Sequence, residues 1–250
     1  MSLRSPFSEQ AGCTMPTPMQ RQRARQRDER RAAQLNHAPG AAATTESQHI
    51  KVLALDNDIR QLRNMELLSD RLTFKRDVLL PRWLPHAQAY LDGERVYQNP
   101  ILMHCIIWLF DTGQFEQALL WADIAIAQGQ KTPENFRSEL PTFVAHFILE
   151  WAETEAERGN SIAPYFQQVF EKVRDTWRVN ERLAARYWRF AGVQLLRGDD
   201  GKPLPSAVSD PARLQQADQY LEQAALLHPK IQVKTLRQRI AARLRALQGS

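Results

Sequence analysis

"LLPRWLPHAQAYL", residues 79–91, sets Pro81, Trp83 and Pro85 inside a chain whose other segments read as helix. A proline in a helix interior costs about 3 kcal/mol and removes a backbone donor. The residue before a proline is pushed toward extended geometry, so Leu80 and Leu84 are expected to leave the α region. Pro85 can then serve as the first residue of a new helix, where its missing N–H does no harm. The stretch therefore predicts a fixed elbow that ends one long helix and opens a helical body. Trp83, flanked by Leu79, Leu80 and Leu84, reads as a buried anchor for that elbow; stacking on nucleic acid from an exposed position is the alternative.

Upstream of the elbow, Val52, Leu55, Ile59, Leu62, Met65, Leu68 and Leu72 step by threes and fours. That is the stripe of an amphipathic or coiled-coil helix, expected to begin at a cap on Thr45 or Ser47. The heptad slips near Met65, so two readings stand: a self-association seam, or a helix packed within its own chain. Residues 36–47, "NHAPGAAATTES", read as a loop from the Pro-Gly pair and the Thr/Ser content. Ahead of it, "QRQRARQRDERR" carries Arg21, Arg23, Arg25, Arg27, Arg30 and Arg31 among good helix formers. Residues 1–19 have the composition of a disordered tail.

Downstream, "DTGQFEQALLWADIAIAQG" (residues 111–129) places Gly113, Phe115, Ala118, Leu119, Ala122, Ala125 and Ile126 at spacings like those of a tetratricopeptide (TPR) helix. Small residues at 118, 122 and 125 let two helices approach closely. "ADQYLEQAALLHPK" repeats the pattern about a hundred residues later, preceded by "RLAARYWRFAGVQLLRGDDG" as the first helix of its pair. Two copies so far apart do not make a regular array. The expected body is instead a bundle of TPR-like helical hairpins. "LPTFVAHFILEWAETEAERG" and "APYFQQVFEKVRDTWRVN" supply two more amphipathic helices, one ended at Gly159 and the other opened at Pro164. The fold class is all-α. The boundaries are a tail (1–19), a basic DNA-binding arm and linker (20–47), an oligomerisation helix (48–80), the Pro-Trp-Pro elbow (81–99), the hairpin body (100–229) and a basic C-terminal tail (230–250).

Composition narrows the function. Ten glycines in 250 residues argue against Rossmann-type or all-β chains. No apolar run reaches the length of a membrane span, and the first residues lack a signal-peptide core; no membrane partner is expected. Cys13 and Cys105 offer neither a disulfide framework nor a metal site. The formal net charge of +5 is concentrated at the ends. Beyond His228 the chain carries Lys230, Lys234, Arg237, Arg239, Arg243 and Arg245 and no acidic residue. Basic ends around a near-neutral middle point to an anionic partner, nucleic acid first.

Catalytic patterns are missing. No Walker A loop, G-x-S-x-G elbow or H-E-x-x-H is present, and the six histidines are scattered. Asp56 and Asp58 are two apart on a helix and do not face each other, while Asp92 with Glu94 and Asp199 with Asp200 sit in turn-like stretches. The sequence predicts no catalytic residue, no metal site and no cofactor.

Leu80, Pro81, Trp83, Leu84 and Pro85, followed by Ile101 to Met103, Trp108, Asp111, Thr112, Gly113 and Ala118, resemble a known family. It is the small subunit, often labelled the endonuclease subunit, of the terminase of temperate tailed phages with cohesive ends (the GpM type). The resemblance implies genome packaging in the cytoplasm of the bacterial host. Such subunits form rings or other homo-oligomers, recognise the packaging site on double-stranded viral DNA, and pass it to the terminase large subunit with its ATPase motor. Under that expectation the six arm arginines contact DNA, the stripe from Val52 to Leu72 drives oligomerisation, and Lys234, Arg237, Arg239, Arg243 and Arg245 meet the large subunit or form a second DNA surface. Two alternatives remain: an endonuclease in its own right within the terminase complex, and a TPR-like adaptor that touches no DNA.

Overall fold

The computed structural model describes residues 39–248 apart from 135, 199 and 200, and these divide between two units, residues 1–57 and 58–250. The described residues are all-α, with no strand and a single bridge between Arg197 and Pro203. Helix α1 spans Pro39–Asn64 and α2 spans Leu68–Phe74; a π-helical turn, Lys75–Leu79, then leads into α3, Leu80–Leu91. The body continues with α4 (Pro100–Asp111), α5 (Phe115–Ala127), α6 (Leu140–Glu157), α7 (Tyr165–Asp175) and α8 (Glu181–Gln194). A 3-10 turn at Pro205–Ala207 precedes α9 (Pro211–Leu227) and α10 (Lys234–Gln248).

The elbow falls elsewhere than the prolines predict. The chain leaves the helix at residues 65–67, not at Pro81 or Pro85. There Arg71 donates from Nε to the Met65 carbonyl at 2.7 Å and from Nη2 to the Arg63 carbonyl at 3.3 Å, satisfying acceptors that a helix end leaves orphaned. Leu80 keeps helical angles (φ −61°, ψ −50°) despite the following proline. The reason lies one turn earlier: the Leu80 N–H bonds the Lys75 carbonyl five residues back, and this wider turn takes up the mismatch that a proline ring imposes on i−4 spacing. Pro81 and Pro85 are both exposed.

The start of α1 is also earlier than expected. Helix already runs at Pro39, not at a cap on Thr45 or Ser47. Proline is preorganised for a first helical position, and three alanines follow close behind.

In the second unit each helix packs on its sequence neighbours. Helix α4 sits deepest, with Ile101, Leu102, Met103, Cys105, Ile106, Ile107, Trp108, Leu109 and Phe110 all buried. Asn99 caps it by accepting from the Leu102 N–H at 3.1 Å. Gly113 and Gly129 take positive φ (77° and 65°) to close α4 and α5, and the next residue's N–H reaches back five residues to Leu109 and Ala125 in turn. Ala118, Ala122 and Ala125 are fully buried, as close helix approach requires. Gln130 staples the loop after α3 to the loop after α5: its Nε2 donates to the Tyr90 hydroxyl and the Tyr97 carbonyl, both at 2.7 Å, while its Oε1 accepts from the Asn99 N–H at 2.8 Å.

The C-terminal segment is not a tail. Residues 234–248 form α10, and Val233 and Ile240 join Leu196, Val208, Leu214, Ala217 and Leu221 in a core cluster that Leu236, Leu244 and Leu247 flank. That apolar stripe at threes and fours lay beneath the charge pattern. Helices α8 and α9 meet at Gly192, where an added Cβ would stand 3.0 Å from Leu221 Cγ and 3.1 Å from the Ala217 carbonyl.

Candidate nucleic-acid and subunit interfaces

Trp83 is buried, and its indole N–H donates to Asp58 Oδ2 at 2.8 Å. Arg82 Nη1 donates to Asp58 Oδ1 at 3.0 Å, and its guanidinium lies 5.2 Å from the Trp83 ring centroid. Asp58 is therefore a satisfied structural carboxylate, and exposed stacking of Trp83 on nucleic acid is ruled out. The Trp83 anchor was legible in the sequence; its partner, 25 residues away, was not.

The expected oligomerisation stripe is divided by the break at 65–67. In the first unit Val52 is half-buried and Leu55 only 1% exposed. In the second unit Ile59, Leu62 and Met65 are half-buried, whereas Leu68 and Leu72 are 74% and 44% exposed. Leu67 and Val78 are exposed beside them, and α2 has no buried residue. A single straight seam through Leu72 is thus not what the backbone provides; α2 presents its own short leucine face.

The five cations assigned to the C-terminus separate into two sets. Lys234, Arg239 and Arg245 are exposed. Arg237 forks onto Asp218 at 2.8 and 3.0 Å and reaches Glu222 at 3.0 Å. Its bond to Asp218, above all, pushes its pKa up and keeps it charged. Arg243 donates to the Val208 carbonyl at 3.0 Å. Arg237 and Arg243 thus hold α10 in place. The arm arginines Arg21, Arg23, Arg25, Arg27, Arg30 and Arg31 lie outside the described residues.

Among the described residues no three His, Cys, Asp or Glu side chains gather as a metal site; Asp199 and Asp200 are outside them. Burial pushes the Cys105 thiol up to about 12 and leaves it a poor nucleophile. A groove of about 700 Å³ between α5 and α7 is lined by Glu116, Asp123, Glu171 and Asp175, with Lys172 paired to Asp123. Its charge is wrong for a polyanion. No described helix is long and apolar enough to cross a membrane.

The family model described as "Phage small terminase subunit" matches residues 52–182. This chain belongs to the phage small terminase subunit family. Among curated relatives, the "Probable terminase, endonuclease subunit" of Haemophilus phage HP1 is 38% identical over 198 residues, covering 79% of this chain and 70% of that protein. The "Terminase, endonuclease subunit" of Escherichia phage P2 is 27% identical over 198 residues, covering 79% and 74%. No solved structure matches. The stretch of this small terminase subunit matched by the family model holds the divided stripe, the Asp58–Trp83 bond and helices α2 to α7. The arginine arm and α10, which carry much of the basic charge, lie outside it.

Proposed function

We propose that this chain is the recognition and assembly subunit of a phage terminase. It binds the packaging site on double-stranded viral DNA, self-associates into a ring or other homo-oligomer, and delivers the DNA to the large ATPase and nuclease subunit. This takes place in the cytoplasm of the bacterial host. The observation that carries the reading is a family body bounded by two basic ends. Cations at both ends supply phosphate contacts and salt-dependent affinity; base or shape recognition is left to folded elements. The arm from Arg21 to Arg31 contacts DNA, and the stripe from Val52 to Leu72 drives self-association, with Leu68 and Leu72 as its exposed part. Lys234, Arg239 and Arg245 are the exposed members of the C-terminal set, Arg245 bonded only to the Ala241 carbonyl of its own helix, and they meet the large subunit or a second stretch of DNA.

The names of the HP1 and P2 relatives favour a second reading, an endonuclease within the terminase complex. One incubation series separates the two. Purified protein meets packaging-site DNA and scrambled DNA across salt, with and without Mg²⁺, and gel shift and nicking are read from the same tubes. Site-preferring, salt-sensitive binding without cuts is expected. Mg²⁺-dependent nicking that survives repurification and is lost on substitution of an Asp or Glu would establish the nuclease. Salt-insensitive behaviour with no DNA binding would favour a TPR-like adaptor.

A further inference from the structure

Arg182, Arg186 and Arg189 stand at i, i+4 and i+7 on α8 and so share one face. Arg178 lies four residues before Arg182, in the turn that leads into the helix. Arg186 is half-buried and donates from Nη2 to Glu153 Oε2 at 2.8 Å. Arg178, Arg182 and Arg189 are exposed, and among the described residues none of them makes an ion pair or a side-chain hydrogen bond.

Several other cations of the same unit are committed to partners. Lys75 is held by Asp111 at 2.7 Å, Arg82 by Asp58, Lys172 by Asp123 and Arg237 by Asp218. Arg197, Arg213 and Arg243 donate to backbone carbonyls. Exposed cations without an ion pair occur elsewhere in the unit, Lys234 and Arg239 of α10 among them; what marks this stretch is that three such arginines fall within twelve residues, beside a fourth, Arg186. Glu153 is taken up by Arg186, and Glu181, adjacent to Arg182 in sequence, points to a different side of the helix.

We infer that this face of α8 binds the sugar–phosphate backbone of nucleic acid. The inference rests on the DNA-binding reading above and adds to it a contact on the folded body, separate from the arginine arm and from α10. The guanidinium fork matches phosphate oxygens. At 1.5 Å per residue, Arg182 to Arg189 covers about 10 Å, and a duplex carries one negative charge per ~1.7 Å of axis, so the stripe meets several phosphates. Such contacts position the protein without reading sequence.

The test uses the full chain and its R178Q/R182Q/R189Q variant, with R178K/R182K/R189K as the charge-preserving control. Fluorescence anisotropy follows binding to a packaging-site duplex and a scrambled duplex across salt. Removing three phosphate contacts lowers the slope of log K against log salt by about 2 to 3, equally for both duplexes. The lysine variant keeps most of the slope, and thermal unfolding followed by circular dichroism is unchanged in both. An unchanged slope in the glutamine variant, while the wild type binds DNA, overturns the inference alone. Loss of large-subunit binding with DNA binding intact overturns it in favour of an acidic protein surface. A wild type that binds no DNA at all removes the parent reading and this one together.

Discussion

Helices α2 and α4 are both rich in large apolar residues, yet they stand at opposite limits of burial. In α4 nine of twelve residues are buried, and Trp108, at 2% exposure, packs near the His104 ring. In α2 none is buried, and Leu68 and Leu72 face outward with Leu67 beside them. The difference teaches that apolar content alone does not place a helix in the core. Helix α4 is apolar around its whole circumference, so neighbours must cover it on every side. Helix α2, only seven residues long, leaves both of its leucines exposed within the unit.

The sharpest way to break this comparison is to truncate both helices. Trp108→Ala removes a fully packed indole and is expected to cost about 3–5 kcal/mol of stability, read by urea denaturation. Trp83→Phe keeps most of the buried ring but leaves Asp58 without its indole donor. The cost should be about 1–3 kcal/mol, again by urea, because a buried carboxylate then lacks one partner. Leu68→Ser with Leu72→Ser should change stability by no more than about 0.5 kcal/mol while weakening self-association in sedimentation velocity. A loss of stability as large as that of Trp108→Ala would show that α2 is core after all.

A last contrast concerns α4 alone. In a Cys13→Ser background, Cys105 should resist thiol reagents at pH 8 until the chain is unfolded, because burial holds its pKa near 12 against an ordinary 9.0. The raised value also sets a sign. Its contribution to stability is intact below pH 9 and is lost as pH rises from 9 toward 12, where the unfolded thiol ionises and the buried one does not.

Much of the fold was legible locally. The helical hairpins at residues 100–127 follow from the Asn99 cap, Pro100, Gly113 and the buried alanines, all of which act within a turn or two of their own position. The arginines of α8 were readable too, at i, i+4 and i+7, but their significance depended on which cations elsewhere are paired. Arg237 and Arg239 make the point: two residues apart and alike in sequence, one is clamped by Asp218 and Glu222 and the other faces water.

What the sequence by itself determined is the all-α class, the close of α6 near Gly159 and the opening of α7 at Pro164, the buried tryptophan and the basic character of both termini. These depend on backbone propensity, capping and periodicity, which operate over a few residues. What only the tertiary structure decided is where the long helix breaks, what Trp83 binds and that α10 is docked. The helix carries Pro81 and Pro85 after a π-turn at Lys75–Leu79, and the break lies instead at residues 65–67, where Arg71 reaches back to hold the helix end. Asp58 meets Trp83 across 25 positions, and Ile240 of α10 enters a cluster begun at Leu196. Burial is a sum over such distant partners, and no local window contains them.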